Sequence, residues 1–354
     1  MTKCKVLVAM SGGVDSAATA LFVSRQGYTP VGVTMRLHES FGEDACGSAS
    51  DLADARAVAD ALGMEHHTVD YTADFCREVI TPFIDAYDRG LTPNPCILCN
   101  RNMKLGRLLR LADTLGCDKL ATGHYARVEY DSTCGRYLLK RAKCAAKDQT
   151  YVLYFLTQGE LSRLLLPLGD AVDKSEVRAQ VSNAALPVGH KKESQDICFI
   201  PDGDYAAFIE HTTGKQYPEG HFVDTFGNLL GIHRGIHRYT VGQRKGLGIA
   251  LGEPMYVKHK CVSDNTVTLA KNDALYTSAC TVRDVNFIAI PTLTEPQRAS
   301  VATRYRARET MATLYPLRDG RVRIEFDEGV RAITPGQAAV FYIGDTVLGG
   351  GIIE

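Results

Sequence analysis

At 354 residues the chain exceeds the roughly 250 that one core usually serves, so two or three domains are expected. Hydrophobic residues at 45% and charged residues at 23% exclude a disordered or fibrous chain; no apolar run approaches the roughly 18 residues of a membrane span, and Met1-Thr2-Lys3-Cys4-Lys5 is no signal peptide. Eleven scattered cysteines without an export signal are expected as reduced cytoplasmic thiols, and a net charge of −1 leaves any nucleic-acid binding to local basic patches.

In chain order, strands are predicted over Lys5–Ala9, Val31–Met35, His66–Asp70 and Lys119–Thr122. Helices alternate with them over Asp15–Arg25, Ala49–Leu62, Ala73–Asp88 and Asn100–Leu115. That order makes βαβ units and a doubly wound parallel α/β sheet. Ligands of such sheets sit at the carboxyl ends of the strands, which gathers residues 11–16, the segment after Met35, and Gly123-His124 around one crevice. Residues 151–187 read as two helices, the second over Lys174–Ala185 and ended by Leu186-Pro187. Beyond about residue 205, glycine, proline and short alternating segments dominate, at Met255–Lys258, Thr266–Ala270, Val301–Arg308, Arg321–Phe326 and Ala338–Ile343. The expected domains are 1–205 (α/β, catalytic), 206–276 (small, β-rich) and 277–354 (a β-barrel).

The most specific motif is Ala9-Met10-Ser11-Gly12-Gly13-Val14-Asp15-Ser16, between a strand and a helix. Its glycines let backbone approach an anion at the positive end of the helix. No lysine follows them, so this is not the loop that binds β and γ phosphates for γ transfer. Ser-Gly-Gly-x-Asp-Ser instead resembles the pyrophosphate loop of N-type ATP pyrophosphatases, which implies cleavage of ATP between α and β and adenylation of a substrate oxygen.

Two cysteine sites are candidates for chemistry. Pro93-Asn94-Pro95-Cys96-Ile97-Leu98-Cys99-Asn100 places a C-x-x-C at a helix start, where a thiolate is stabilised. Cys198 lies in Ser194-Gln195-Asp196-Ile197-Cys198-Phe199-Ile200, close in sequence to Lys191 and Lys192. The bland reading of both is a small buried hydrophobe.

Together with Ala121-Thr122-Gly123-His124-Tyr125, Lys147-Asp148-Gln149, the stretch Thr240–Gly248 and the terminal Leu348–Glu354, these motifs lie in the order found in the tRNA-specific 2-thiouridylases, the MnmA family, which the chain resembles from residue 5 onward. The resemblance implies ATP- and Mg²⁺-dependent replacement of O2 by sulfur on the wobble uridine, position 34, of lysine, glutamate and glutamine tRNAs. It implies Cys99 as catalytic cysteine and Cys198 as the residue that receives persulfide sulfur from a cysteine desulfurase or relay protein. ATP would be contacted by Ala9, Met10, Ser11, Gly12, Gly13, Val14, Asp15, Ser16, Met35 and Gly123. Asn94, Pro95 and Cys96 would line the pocket for the flipped base. The tRNA contacts implied are His124, Lys147, Asp148, Gln149, Arg304, Tyr305 and Gln337.

One departure stands out: many members carry Asp where this chain has Cys96. Cys96, Cys99 and Cys198 are thereby three candidate thiolate ligands for a [4Fe–4S] cluster with one open iron. Cluster-bound sulfide and a persulfide relay are both open, and the missing carboxylate favours the cluster. For RNA, Arg304, Arg306 and Arg308 would share one face of the strand Val301–Arg308. His233-Arg234-Gly235-Ile236-His237-Arg238 with Gln243-Arg244-Lys245 forms a second basic patch. Rival readings are an amidotransferase-type synthetase, a 2-thiocytidine or 4-thiouridine enzyme, a non-catalytic tRNA- or ATP-binding protein, and a zinc module that recruits His190 or His124. A monomer is the default.

Overall fold

The structure, a computed structural model, describes residues 3–38, 49–189, 197–200 and 202–354. Lys191 and Lys192 lie outside these, as does His190. The apolar strand Lys5–Ala9 is the centre of a parallel sheet, because its Val6, Leu7 and Val8 are wholly buried and need cover on both faces. Val8 pairs with Gly32 on one side and Ala121 on the other. The spatial order is Glu65–Asp70, Thr29–Arg36, Lys5–Ala9, Lys119–Ala121, Leu164–Leu165. Strand order therefore reverses between Lys5–Ala9 and Lys119–Ala121, and the crevice at their carboxyl ends is the natural ligand position.

The flanking helices are Val14–Arg25, Ala49–Ala61 and two longer ones with altered winding. Thr72–Phe75 and Thr81–Asp88 are joined by a π-helical stretch, Cys76–Ile80; Pro95–Leu98 and Leu108–Thr114 are joined by another, Cys99–Arg107. The C-x-x-C segment is thus the first turn of the second helix, and the wider winding begins at Cys99. Among the described residues no helix is long and apolar enough to cross a membrane.

A four-stranded sheet follows in the order Tyr256–Cys261, Thr266–Ala270, Gly220–Val223, Leu229–His233, packed on Phe222, Tyr239, Val257, Val267 and Leu269. The last unit is a barrel. Tyr276–Phe287, Val322–Arg331, Thr310–Pro316, Gln297–Ala302, Ala338–Ile343 and Thr346–Ile353 pair in that order, and the first and last also pair with each other. At Gly349 an added Cβ would stand 2.3 Å from the Asn286 carbonyl, so the glycine run of the final strand is what lets the barrel close.

The strand expected over Val301–Arg308 stops at Ala302. Arg306 has φ +58 and Ala307 N donates to the Arg304 carbonyl at 3.1 Å, which turns the chain and ends the alternation. A hairpin absent from the sequence reading, Ala126–Asp131 with Arg136–Arg141, leaves the parallel-sheet region and joins the barrel's last strand, Thr346 opposite Lys140. One buried cluster runs from Leu7 and Val31 through Tyr151–Leu156 to Val340 and Val347, so sheet and barrel share a core.

Candidate active site

The loop after Lys5–Ala9 is held by backbone and hydroxyl bonds. Met10 N donates to Val33 O at 2.8 Å, Ser11 N to Ser16 Oγ at 3.1 Å, and Ser16 Oγ to Gly13 O at 2.9 Å. Gly13 precedes the helix Val14–Arg25 without a side-chain cap, leaving first-turn amides for an anion. Gly12 has φ +71, and a Cβ there would lie 2.3 Å from the Asp51 carbonyl of the helix Ala49–Ala61, so this position admits glycine alone.

Asp15, in the first helical turn, is gripped twice. Tyr125 Oη donates to its Oδ1 at 2.9 Å, and Lys174 Nζ donates to its Oδ2 at 2.9 Å. Tyr125 is buried, and its N–H donates to Gln149 Oε1 at 2.9 Å. The structure thus joins Asp15, residues 121–125 and Gln149 into one wall of the crevice. Gly123 abuts Asp15 closely, with a virtual Cβ 3.1 Å from the Asp15 carbonyl carbon. Lys174 was missed as a site residue. The one signal was the lack of a lysine in the loop itself; the structure brings one from 159 residues later.

The cysteine helix meets this wall through Asn100, whose Oδ1 lies 3.2 Å from His124 Nε2. Asn94 Oδ1 accepts from Cys96 N at 3.1 Å, an N-cap that starts the helix at Pro95. Cys99 is 6% exposed and packs among Phe75, Val79, Phe83, Met103 and Phe199; Cys198 and Met35 border the same cluster. Cys96 is surface-accessible and outside that cluster, yet the protein packed around its sulfur raises the thiol's pKa, with Lys104 opposing. Among the described residues no three His, Cys, Asp or Glu side chains are placed to hold a metal ion. The three cysteines differ in setting: Cys96 lies at the surface, Cys198 is half-buried and Cys99 is packed into an apolar interior.

His124, expected to touch RNA, is instead 7% exposed and serves as an internal prop. Its Nδ1 lies 2.8 Å from Thr122 Oγ1 and its Nε2 lies 3.2 Å from Asn100 Oδ1, while Asn100 Nδ2 donates to Val152 O at 3.3 Å. The Asn100 oxygen accepts only, so Nε2 carries the proton and the Thr122 hydroxyl donates to Nδ1. Burial, and then Lys104, pushes the imidazole down to about 3, so it is neutral. Asp148 is also turned inward, accepting from Ala142 N at 2.9 Å and Thr150 Oγ1 at 2.5 Å, and burial raises its carboxyl.

Of the second basic patch, His233 and His237 are fully buried and Arg238 is paired with Glu210; Arg234, Arg244 and Lys245 remain exposed. The two histidines fold inward because His237 Nε2 lies 2.9 Å from Glu210 Oε1 and His233 Nε2 lies 3.1 Å from Asn265 O. On the barrel, Arg304, Arg306 and Arg308 are all exposed around the turn, and Tyr305 leans on Tyr151 at 5.9 Å between centroids. Lys147 is half-buried. Gln337 Nε2 donates to Thr92 O at 2.9 Å.

Residues 4–202 match the family described as tRNA methyl transferase HUP domain, 206–271 the tRNA methyl transferase PRC-barrel domain, and 277–353 the aminomethyltransferase beta-barrel domain. The chain is 48% identical to the tRNA-specific 2-thiouridylase MnmA of Acetivibrio thermocellus, covering 100% of both proteins. It is 46% identical to that of Clostridioides difficile, over 99% of this chain and 98% of the other. With that of Moorella thermoacetica the identity is 47%, over 98% and 99%. With these identities spanning both the phosphate loop and the cysteine-bearing wall, the chain belongs to the MnmA family of tRNA-specific 2-thiouridylases.

Proposed function

We propose that this chain catalyses ATP-dependent 2-thiolation of the wobble uridine of tRNA. What supports the reading is a lysine-free phosphate loop beside a cysteine cluster: Cys99 and Cys198 share a cluster bordered by Met35, and Asn100 next to Cys99 meets His124, which follows the Gly123 that abuts Asp15. The loop suits pyrophosphate as leaving group, and the cysteines suit delivery of sulfur.

In the first step the uracil C2 oxygen attacks the α-phosphorus of ATP, and pyrophosphate departs into the loop, leaving C2–O–AMP. The terminal sulfur of a Cys198 persulfide attacks C2 and AMP leaves. The Cys99 thiolate then attacks Cys198 Sγ, releasing 2-thiouridine and forming a Cys99–Cys198 disulfide, which an external dithiol reduces. Cys99, in an apolar setting, is shielded from water until the base arrives. No step needs Cys96, which with Asn94 and Pro95 is assigned here to the lining of the base pocket.

Mg²⁺ enters as the counter-ion of ATP, and Asp15 is the loop's own carboxylate. Arg304, Arg306, Arg308 and Lys147 supply phosphate contacts to the anticodon arm, and Tyr305 offers an aromatic face. Sulfur comes from a cysteine desulfurase or a relay protein, and the reaction belongs to the cytoplasm. Incubation of unmodified lysine, glutamate and glutamine tRNAs with ATP and a persulfide donor should give 2-thiouridine and one AMP per sulfur, read by nucleoside mass spectrometry. 4-Thiouridine or 2-thiocytidine as product would move the assignment to another tRNA thiolase.

A further inference from the structure

The segment Leu91–Asn94, just before the cysteine helix, is bonded to the barrel rather than to its own domain's sheet. Thr92 N donates to Pro335 O at 2.9 Å, and Gln337 Nε2 donates to Thr92 O at 2.9 Å, so both backbone groups of Thr92 are taken by one barrel loop. The approach is close. Gly336 has φ +91, and a Cβ there would stand 3.0 Å from both Leu91 Cβ and Thr92 N. The Thr92 hydroxyl is buried without a partner, a cost that only a firmly seated segment sustains.

The barrel loop is itself anchored. Tyr151 Oη donates to Ala338 O at 2.8 Å, and Asn286 Nδ2 donates to Tyr154 O at 2.8 Å and Leu156 O at 3.1 Å. On the other side of the cysteine helix, Asn100 is held by Val152 O and His124. Cys99 therefore sits between two fixed points that both trace back to residues 150–156 and the barrel.

We propose that Gln337 is a positioning residue for Cys99: it latches the Leu91–Asn94 segment to the barrel and so holds the cysteine helix in the closed, water-shielded arrangement. This rests on the thiolation reading of the Cys99 site, and it stands beside any grip of Gln337 on tRNA, because Thr92 takes only one hydrogen of the side-chain amide.

The test uses the full-length protein without ATP or tRNA, and reads iodoacetamide alkylation of each cysteine by mass spectrometry. In Gln337→Ala, Cys99 alkylation should accelerate roughly 5- to 10-fold, the effect expected for one lost hydrogen bond. Buried Cys117, in the sheet core, should stay at the wild-type rate. Gly336→Ala, which pries the segment away sterically, should accelerate Cys99 further. Single-turnover thiolation at saturating tRNA should fall. An unchanged Cys99 rate in both variants overturns the proposal whatever happens to tRNA binding, and so does parallel acceleration at Cys117, which would signify general loosening. If the wild-type protein makes no 2-thiouridine, the functional reading fails while the alkylation comparison still decides the latch.

Discussion

Lys174→Ala tests the phosphate site at its least obvious member. The ammonium is 2.9 Å from Asp15 Oδ2, with side-chain exposures of 14% for Lys174 and 32% for Asp15. A hydrogen bond between charged groups contributes about 1.5–3 kcal/mol, and the third of Asp15 open to water reduces this to roughly 1–2 kcal/mol. The larger effect falls on ATP. The loop has no lysine of its own, so removal of Lys174 leaves the Asp15 carboxylate facing incoming phosphates with the Tyr125 hydroxyl but no ammonium bonded to it. Repulsion between unit charges at about 4 Å and an effective dielectric of about 20 is near 4 kcal/mol, an upper figure that solvent lowers. We expect ATP affinity to fall about 10- to 100-fold, or roughly 1.4–2.7 kcal/mol, measured by calorimetry with a non-hydrolysable analogue. Asp15→Asn placed in the Lys174→Ala background should recover part of the loss, because the repelling charge is gone. If Lys174→Ala binds ATP like the wild type, Lys174 serves only to pair Asp15, and the reasoning is wrong.

The buried His124 should make stability depend on pH. Its folded value near 3 lies below the unfolded value near 6.5, so the unfolded chain takes up the extra proton, and stability is complete above about pH 6.5 and falls as pH drops toward 3, by up to about 1.4 kcal/mol per unit. Urea melts at pH 7.5 and 5.5 should show a smaller drop in His124→Gln than in the wild type; equal drops would remove His124 as the cause. Replacing Cys96 by Ala should leave thiolation in place while Cys99→Ala and Cys198→Ala abolish it. Loss of activity in Cys96→Ala together with iron in anaerobically purified protein would restore the cluster. Replacement of Arg304, Arg306 and Arg308 together by Ala should lower the slope of log affinity for tRNA against log salt by about 2, given roughly 0.7–0.9 for each phosphate no longer neutralised. An unchanged slope would place the tRNA elsewhere on the protein.

The sequence was most legible where a residue's type dictates its local role. Val6–Val8 read as a buried central strand, and Gly12-Gly13 as a turn onto a helix, because apolar runs and paired glycines leave little choice. It was least legible where the role depends on a distant partner. Nothing near Lys174 announces Asp15, and nothing near Gln337 announces Thr92. Side-chain direction was equally hidden: His233, His237 and His124 have the composition of a basic surface, but Glu210, Asn265 and Asn100 draw them inside. The π-helical stretches at Cys76–Ile80 and Cys99–Arg107 also lie beyond reach of a reading based on a 3.6-residue period. The hairpin over 126–141 did carry a signal, a turn-rich Asp131–Gly135 between two alternating segments, yet its neighbours in sequence gave no hint that it would pair with the barrel.

That hairpin imposes an order of events on a chain emerging from the ribosome. Arg136–Arg141, already paired with Ala126–Asp131, finds its second neighbour only in Thr346–Ile353, made much later, and Tyr151 waits nearly as long for the Ala338 carbonyl. At roughly 5–20 residues per second, some ten to forty seconds pass with an unpaired strand edge and an open core face exposed. Nascent chains caught in that interval are the ones most exposed to aggregation, and a premature stop within the final strand would leave the ATP-binding half of the molecule without one wall of its own core.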